Sequence, residues 1–258
     1  MSIKNDIKEN IKKQGIEKCG VTHYRNHTAL VCLFPYYYDN SQGNLSMYAR
    51  SIDYHRIIGS KLREAASFMA SEFGAEIEGC FCDIGEEIDR RLAYMAGLGF
   101  YGDNTMLINE EYGSFFFIGY ILCDLPLEED SPISKECLHC GACKKSCPGN
   151  ALENGFDIER CASHISQKKG GLNATEKIIL KKAGSVFGCD ICQTVCPYNH
   201  GVKTAMKEFC TDRMDSVAKE DIEALSGREF LKKYKNRAFS WRGKKVIERN
   251  LDILHQDF

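Results

Sequence analysis

A chain of 258 residues with 43% hydrophobic and 27% charged residues has the composition of a folded protein of one or two domains. Its formal net charge of −2 excludes a nucleic-acid binder that relies on bulk positive charge, while a local basic patch stays open. No apolar run approaches the roughly 18 residues of a membrane span, which excludes a membrane partner. Fourteen cysteines without a signal peptide indicate thiolate ligands in a reducing compartment, so we expect a cytoplasmic protein.

Hydrophobic periodicity and turn residues predict mixed helices and strands in the first half of the chain. The triple Tyr36-Tyr37-Tyr38 falls in a loop that either walls a flat ligand or packs along an edge of the fold. The acidic, proline-containing segment at 126–132 predicts a boundary before the cysteine-rich region. In chain order the predicted elements are a helix from Ile3 to about Gly15, a strand at 29–34, a helix at 53–73, a strand at 76–82, a helix at 88–97, and strands at about 105–109 and 114–123.

Asp83 follows the predicted strand at 76–82 and is the best candidate for a proton donor in this half. Reduction consumes protons, and a carboxyl group in an apolar pocket at a strand end can have its pKa raised for that role. The alternative is that Asp83 caps the N-terminus of the next helix. The residues alone leave both interpretations open.

Eight cysteines between Cys137 and Cys196 form the most specific motif of the chain. The first four have the spacing C-x2-C-x2-C-x3-C-P of bacterial ferredoxins, in which the fourth cysteine binds a different cluster from the first three. A zinc ribbon or a disulfide cluster is the alternative, and the two Cys-Pro endings argue against it. We predict two [4Fe-4S] clusters, one on Cys137, Cys140, Cys143 and Cys196 and the other on Cys147, Cys161, Cys189 and Cys192. The other six are expected to be buried and reduced: Cys19, Cys32, Cys80, Cys82, Cys123 and Cys210.

The last part of the chain is helical and basic in its pattern. Helices are predicted at 157–167 and 174–183, and the segment 228–249 carries nine basic residues against Glu229 and Glu248. Such a segment is either a solvated face or a phosphate-tracking surface, and the interleaved aromatics Tyr234, Phe239 and Trp241 favour the second. The nine are Arg228, Lys232, Lys233, Lys235, Arg237, Arg242, Lys244, Lys245 and Arg249.

Two low-potential one-electron centres in one chain suit either electron relay or delivery of two electrons to a third site. The long segment before the cysteines has strands and helices of its own, which indicates a domain for a substrate or a second cofactor. Spacing alone therefore predicts an iron–sulfur reductase with an unknown partner cofactor.

Several stretches together resemble the epoxyqueuosine reductase family, cobalamin-dependent enzymes of queuosine modification in tRNA. The similarity runs from about Asp53 to Asn250, and reductive dehalogenases share the two-cluster arrangement. The matching stretches are Asp53-Tyr54-His55, Asp83 with Gly85 and Asp89-Arg90, 96–100 with Asn104, 112–114, the cysteine array with 160–163 and 188–193, and 240–245 with 248–250.

The resemblance implies an α+β fold of the α/β sandwich type. It implies a cobalamin- and substrate-binding catalytic domain at 1–130, a double [4Fe-4S] ferredoxin-like domain at 131–200 and a basic helical C-terminal segment at 201–258. The cobalamin would be base-off, in agreement with Asp53-Tyr54-His55 and Gly59, which have one residue more than the D-x-H-x-x-G signature of histidine-ligated cobalamin. By the same resemblance Asp83 is the proton donor, Asn104, Leu107, Ile118 and Ser163 line the corrinoid, and Lys169 lies near the tRNA. We add Arg242, Lys244 and Lys245 of the basic segment as tRNA contacts.

The implied reaction is the two-electron reductive removal of the epoxide oxygen of epoxyqueuosine in tRNA. The expected partners are that tRNA and a low-potential donor such as flavodoxin or ferredoxin, with the protein a monomer. The chain departs from the family by lacking a segment before the strand at 29–34 and the C-terminal HEAT-like extension, and by Asp103 where the family has lysine. These departures keep two alternatives open: a cobalamin and iron–sulfur reductase of a small molecule, and a non-catalytic electron-transfer protein.

Overall fold

The computed structural model describes residues 2–38, 42–83 and 88–256. Within these ranges, no helix is long and apolar enough to cross a bilayer. The strands are β1 (Lys18–Tyr24), β2 (His27–Pro35), β3 (Ile77–Phe81), β4 (Phe100–Tyr101), β5 (Leu107–Ile108) and β6 (Phe116–Cys123). The α-helices are α1 (Ile3–Lys13), α2 (Tyr54–Phe73), α3 (Asp89–Met95), α4 (Ala142–Ser146), α5 (Ala162–Gln167), α6 (Ala174–Ala183), α7 (Ile191–Thr194), α8 (Lys207–Cys210), α9 (Lys219–Glu223), α10 (Gly227–Tyr234) and α11 (Lys244–His255).

The α+β class is confirmed, and most of the predicted elements form. The predicted helix at 157–167 is wrong as one piece, because Cys161 has an extended backbone that separates a 3-10 turn, Ile158–Arg160, from α5. The predicted strand at 105–109 shortens to the two residues of β5, and β1 was not predicted. Gly85 and residues 39–41 of the tyrosine loop lie outside the described residues.

The chain divides into two compact units, each built from more than one segment. Unit 1 comprises residues 1–37, 54–138 and 201–208, and unit 2 comprises residues 38–53, 139–200 and 209–258. These units are defined by contacts, whereas the boundaries at 130 and 200 inferred from the sequence separate functional domains. The functional boundaries stay a prediction.

An antiparallel sheet with the strand order β1-β2-β6-β3 forms the centre of unit 1. The side chains of Ala29, Val31 and Leu33 pack against α3 on one face. On the other face Gly119 of β6 lies so close to α2 that an added Cβ would stand 2.7 Å from Ile58. Because both faces of β2 are covered, its sequence is a continuous apolar run and not an alternating one.

Asp130 ties the N-terminal helix to the sheet in unit 1. Its carboxylate accepts hydrogen bonds from Lys4 Nζ at 2.7 Å, Lys8 Nζ at 2.8 Å and the Val21 backbone N–H at 2.8 Å. Burial opposes ionisation of this carboxyl group, but the three donors outweigh it and lower the pKa of Asp130 below its usual 3.8. The residue is therefore an ionised anchor for α1.

Replacing Asp130 with asparagine should lower the free energy of unfolding by about 1–2 kcal/mol at neutral pH. The asparagine side chain is uncharged and has one oxygen, so it loses the ion pairs with Lys4 and Lys8. The lowered pKa makes this contribution fully present above pH 3.8, and it is lost as the pH falls through the pKa of the folded state. Denaturant unfolding of both proteins at pH 7 and in acid measures it. Glu9→Gln on the exposed side of α1 is the control and should stay within about 0.5 kcal/mol. An equal difference at both pH values would contradict the electrostatic role.

Unit 2 is helical and has a core of its own. Leu180 of α6, Ile165 of α5 and Ile253 of α11 meet in this core. Both ends of α6 are set by local signals: Asn173 and Glu176 form a capping box, and Gly184 ends the helix with a φ of 64°. The side chain of Asn250 on α11 donates to the carbonyls of Ser166 and Val186, which joins α11 to the region before the second cysteine run.

Candidate functional site

Asp83 lies two residues beyond β3 in unit 1, in a strained conformation. Its φ of 52° is in the left-handed region, and its backbone N–H donates to Asp89 Oδ2 at 2.9 Å. The alternative role as a helix cap is wrong, because α3 begins after Ile88 without a side-chain cap. The strand and the Asp89 contact together hold Asp83 in a conformation that a non-glycine residue rarely adopts.

The carboxylate of Asp83 has two polar neighbours at the start of α2. The Tyr54 hydroxyl donates to Oδ2, and His55 Nε2 lies 4.0 Å from the same oxygen. The Tyr54 ring is stacked on Phe117, with 4.2 Å between centroids, which fixes its direction. The Asp83 side chain is 65% exposed, so it is not enclosed in the apolar pocket that the sequence led us to expect.

A cavity of about 340 Å³ opens beside this group. The apolar part of its lining comes mainly from Phe116, Phe117 and Ile118 of β6, and acidic and basic side chains also line it. The lining comprises Tyr54, Cys82, Asp83, Asp89, Arg90, Met106, Leu107, Ser114, Phe116, Phe117 and Ile118.

Two of the four predicted corrinoid contacts, Leu107 and Ile118, line this cavity. Asn104 is buried nearby, and its Oδ1 accepts a hydrogen bond from the Met106 N–H at 3.2 Å. Ser163 belongs to α5 in unit 2, where its carbonyl accepts from Ser166 Oγ. A lining that combines apolar side chains with a few polar groups suits a corrin ring, whose face is apolar and whose edge is polar.

Asp89 is the residue of this site whose importance the sequence did not reveal. Burial raises the pKa of its carboxyl group, and the hydrogen bond from the Asp83 N–H opposes that rise. Its neighbour Arg90 donates to the Thr105 carbonyl at 2.6 Å and connects α3 to the loop before β5. Asp89-Arg90 matched the family, but an Asp in a first helical turn is so common that it carried no separate signal.

Tyr36 and Tyr37 pack against other aromatic rings, and neither is among the described residues that line the cavity. Tyr36 is buried, with its ring 4.4 Å from that of Phe117, and Tyr37 lies 5.1 Å from Phe115. Edge packing is the alternative that these contacts support.

The cysteines of the second predicted cluster lie near one another in unit 2. All fourteen cysteines are among the described residues and none forms a disulfide. Burial raises the pKa of Cys189 to about 12, and the nearby thiols of Cys161 and Cys147 contribute to the rise. The pKa of Cys192 is raised too, by burial and by the thiols of Cys189, Cys161 and Cys147. Four thiols this close together suit an iron cluster, because bound metal ions deprotonate coordinating thiols.

Local backbone features hold this loop in shape. Gly188 has a φ of 76° and lies so close to Ser46 that an added Cβ would stand 2.5 Å from the Ser46 Cβ. Asp190, between the predicted ligands Cys189 and Cys192, accepts hydrogen bonds from Ser46 Oγ at 2.5 Å and the Met47 N–H at 2.7 Å. Hence contacts with residues 46 and 47 hold the loop in place.

For the first predicted cluster, Cys143 lies in α4 and Cys196 follows α7, and these two helices pack together. His139 and Gly141 have φ values of 50° and 72°, which turn the backbone sharply on either side of the exposed Cys140. Cys137 lies at the end of a unit 1 segment, so its ligation stays a prediction.

The expectation for the six remaining cysteines holds only in part. Cys32 and Cys123 are buried, whereas Cys210 is exposed and Cys82 lines the cavity. A cysteine outside the array is therefore not always buried: Cys210 is the last residue of a short surface helix.

The predicted tRNA contacts all lie in unit 2. Lys169 and Lys245 are exposed, Lys244 pairs with Glu248 at 3.3 Å, and the Arg242 guanidinium lies 3.5 Å above the Trp241 ring. Arg249 turns inward and donates to the carbonyls of Lys168 and Gly170, which fastens the Lys169 turn to α11. Five residues separate Lys244 from Arg249, about 7.5 Å along the helix.

Comparison with known proteins identifies the family. A family model described as "4Fe-4S double cluster binding domain" matches residues 136–199, and one described as "Epoxyqueuosine reductase QueG, DUF1730" matches residues 22–83. The epoxyqueuosine reductase of Lactococcus garvieae is 35% identical over 214 residues, which are 81% of this chain and 60% of that protein. The chain belongs to the epoxyqueuosine reductase family. As a member of that family it carries a double [4Fe-4S] cluster domain at residues 136–199.

Other members of the epoxyqueuosine reductase family agree in sequence and fold. The Bacillus subtilis enzyme is 36% identical over 207 residues, which cover 77% of this chain and 52% of that enzyme. An epoxyqueuosine reductase solved with an epoxyqueuosine-modified tRNA-Tyr stem loop aligns with a TM-score of 0.86 and 27% identity, over 98% of this chain and 80% of the other. The chain therefore spans about half to 60% of the length of these curated relatives. The reductive dehalogenase NpRdhA, at 19% identity and a TM-score of 0.54, shares the fold.

Proposed function

We propose that the protein reduces epoxyqueuosine to queuosine in tRNA, using cobalamin and two [4Fe-4S] clusters. The observation that carries the proposal is the partly apolar cavity beside Asp83, whose carboxylate is hydrogen-bonded by Tyr54. An epoxyqueuosine reductase of the same fold has been solved with the modified stem loop, which supports the substrate. The cysteines favour the cytoplasm, because fourteen thiols without a disulfide suit a reducing compartment.

In this proposal two groups of residues bind the cofactors. The eight cysteines of the array would hold the clusters, and Leu107, Ile118, Asn104 and Ser163 would contact the corrin ring. Reduced cobalamin would supply the electron pair and the clusters, reloaded one electron at a time by flavodoxin or ferredoxin, would replenish it.

The protein's own part of the reaction is the delivery of protons. Removal of the epoxide oxygen as water breaks two carbon–oxygen bonds, forms a carbon–carbon double bond and consumes two electrons and two protons. Asp83 gives a proton to the departing oxygen, and the Tyr54 hydroxyl orients the carboxyl group. His55, 4.0 Å from Oδ2, is placed to return a proton after each transfer.

The tRNA contacts are Lys169, Arg242, Lys244 and Lys245. The Arg249 contacts bring the Lys169 turn and α11 together, so these side chains can meet successive phosphates of one strand. We propose that the protein acts as a monomer.

A turnover assay tests the proposal directly. Protein reconstituted with iron, sulfide and cobalamin should convert an epoxyqueuosine stem loop to the queuosine form, read by the loss of one oxygen in the mass of the nucleoside. No conversion with full cofactor loading would overturn the proposal. Preferential reduction of a free nucleoside or an organohalide would favour the small-molecule reductase. Asp103, which stands where the family has lysine, is the reason for testing that alternative. Iron without any bound cobalamin would favour the electron-transfer protein.

RNA binding should respond to salt through individual lysines. Lys245→Ala is expected to reduce the slope of log Kd against log salt by about 0.7–0.9, the value for one lost phosphate contact. Lys12→Ala removes the same charge from an exposed position on α1 and should leave the slope unchanged. Identical slopes for the wild type and Lys245→Ala would remove Lys245 from the contacts.

A further inference from the structure

Trp241 is an exposed aromatic ring in a segment whose other side chains are mostly buried. It lies in the 3-10 turn Ala238–Arg242, where Ala238, Phe239 and Ser240 are at most 8% exposed. Trp241 itself is 60% exposed. The turn is anchored by Phe239, whose ring contacts those of Phe187 and Tyr234. A rigid backbone therefore presents a large apolar ring to solvent.

The guanidinium of Arg242 holds this ring in place. Its Cζ lies 3.5 Å from the ring centroid, and its Nε is buried without a hydrogen-bond partner. Packing against the ring is thus what positions the Arg242 side chain. An ordered arginine–tryptophan pair loses little conformational freedom when a flat ligand stacks on it.

The helix that follows the pair begins with positive charge. The helix α11 begins two residues later with Lys244 and Lys245 and has no acidic residue in its first turn. The two acids of the segment 228–249 have partners of their own: Glu229 forms a capping box with Ser226, and Glu248 pairs with Lys244. A flat ring that carries one cation and is followed by two more along the chain complements a ligand with both a planar group and negative charge.

We propose that Trp241 is a stacking platform for an unpaired nucleobase of the RNA substrate, with Arg242 and Lys245 on its flanking phosphates. This inference rests on the proposed function and names the part of the RNA that the surface recognises: a single-stranded loop. A peptide rich in acidic residues would satisfy the charges, but it would leave the ring without a flat partner.

Binding of a labelled stem-loop RNA, measured by fluorescence anisotropy with the reconstituted protein, tests this proposal. Trp241→Ala should weaken binding by about 5- to 150-fold, which corresponds to the 1–3 kcal/mol measured for one base stacked on an aromatic ring. Trp241→Phe keeps a ring and should stay within about threefold of the wild type. Leu231→Ala, which trims another exposed apolar side chain of the same segment, is the matched control and should bind normally.

Two further arms separate stacking from charge. The loss in Trp241→Ala should vanish for a fully paired RNA duplex, because a duplex offers no unpaired base to stack on the ring. Trp241 is the only tryptophan of the chain, so its fluorescence in the wild type should also fall when the stem loop is added. Wild-type affinity in Trp241→Ala at wild-type iron content would overturn the inference, as would equal quenching by polyglutamate.

The outcomes distinguish this inference from the proposed function. Turnover of epoxyqueuosine RNA by the wild type with normal binding by Trp241→Ala would leave the reaction intact and remove the platform. A ring-dependent affinity in a protein that never converts the substrate would leave the platform and remove the reaction.

Discussion

Replacing Asp83 with asparagine should reduce turnover of epoxyqueuosine RNA by about 100-fold or more, the typical contribution of a positioned general acid. An asparagine can still accept the Tyr54 hydrogen bond, and the backbone contact to Asp89 does not involve the replaced group. The variant therefore keeps the local geometry and loses only the transferable proton. Single-turnover assays with excess enzyme and full cofactor loading measure the effect on the chemical step.

Two controls define what this result means. Asp124→Asn makes the same substitution at an exposed carboxylate that accepts the Glu76 N–H, outside the cavity, and should keep wild-type turnover. Iron content and cobalamin absorbance should be unchanged in Asp83→Asn. Unchanged turnover with loaded cofactors would remove Asp83 from proton transfer.

The second large effect is expected at the cysteine array. Cys192→Ala should lower the iron content from about eight to about four atoms per chain and abolish turnover, because a [4Fe-4S] cluster that loses one of four thiolates is poorly held. Iron analysis and the visible spectrum of the anaerobically reconstituted protein measure this loss. Cys210→Ser, at an exposed cysteine outside the array, should keep all the iron.

The crossing of ligands between the clusters is tested by a second variant. Cys196 stands four residues after Cys192 but is predicted to bind the other cluster. Cys192→Ala and Cys196→Ala should therefore leave different clusters behind, with different electron paramagnetic resonance spectra after reduction. The same residual spectrum in both variants would show that the ligands are not crossed.

Elements with local signals were predictable from the sequence. The bounds of α6 match the prediction because Asn173, Glu176 and Gly184 specify both ends within a few residues. Strand β1 was missed because its pairing with β2, Cys19 opposite Cys32 for example, comes from the tertiary fold. The pattern of β1 mixes polar and apolar residues, so no period identified it.

In the candidate site, too, some residues were predictable from the sequence and others were not. Asp83, Leu107 and Ile118 were named from the sequence by resemblance, and all three line one cavity. The roles of Tyr54 and Asp89 depend on contacts between elements. No periodicity in the sequence indicates that the Tyr54 hydroxyl meets a carboxylate 29 residues away. The exposure of Asp83 likewise depends on the packing around it, which a strand-end position does not specify.

The contact between Asp190 and Ser46 has a consequence for the order of events during synthesis. These residues are 144 positions apart, and Leu45 and Phe187 beside them form a bridge as well. On the ribosome, the segment around Ser46 must wait for the second cysteine run to emerge before it gains these partners. The cluster loop therefore reaches its folded conformation late in synthesis. Iron delivered before that point would meet thiols whose supporting contacts have not yet formed.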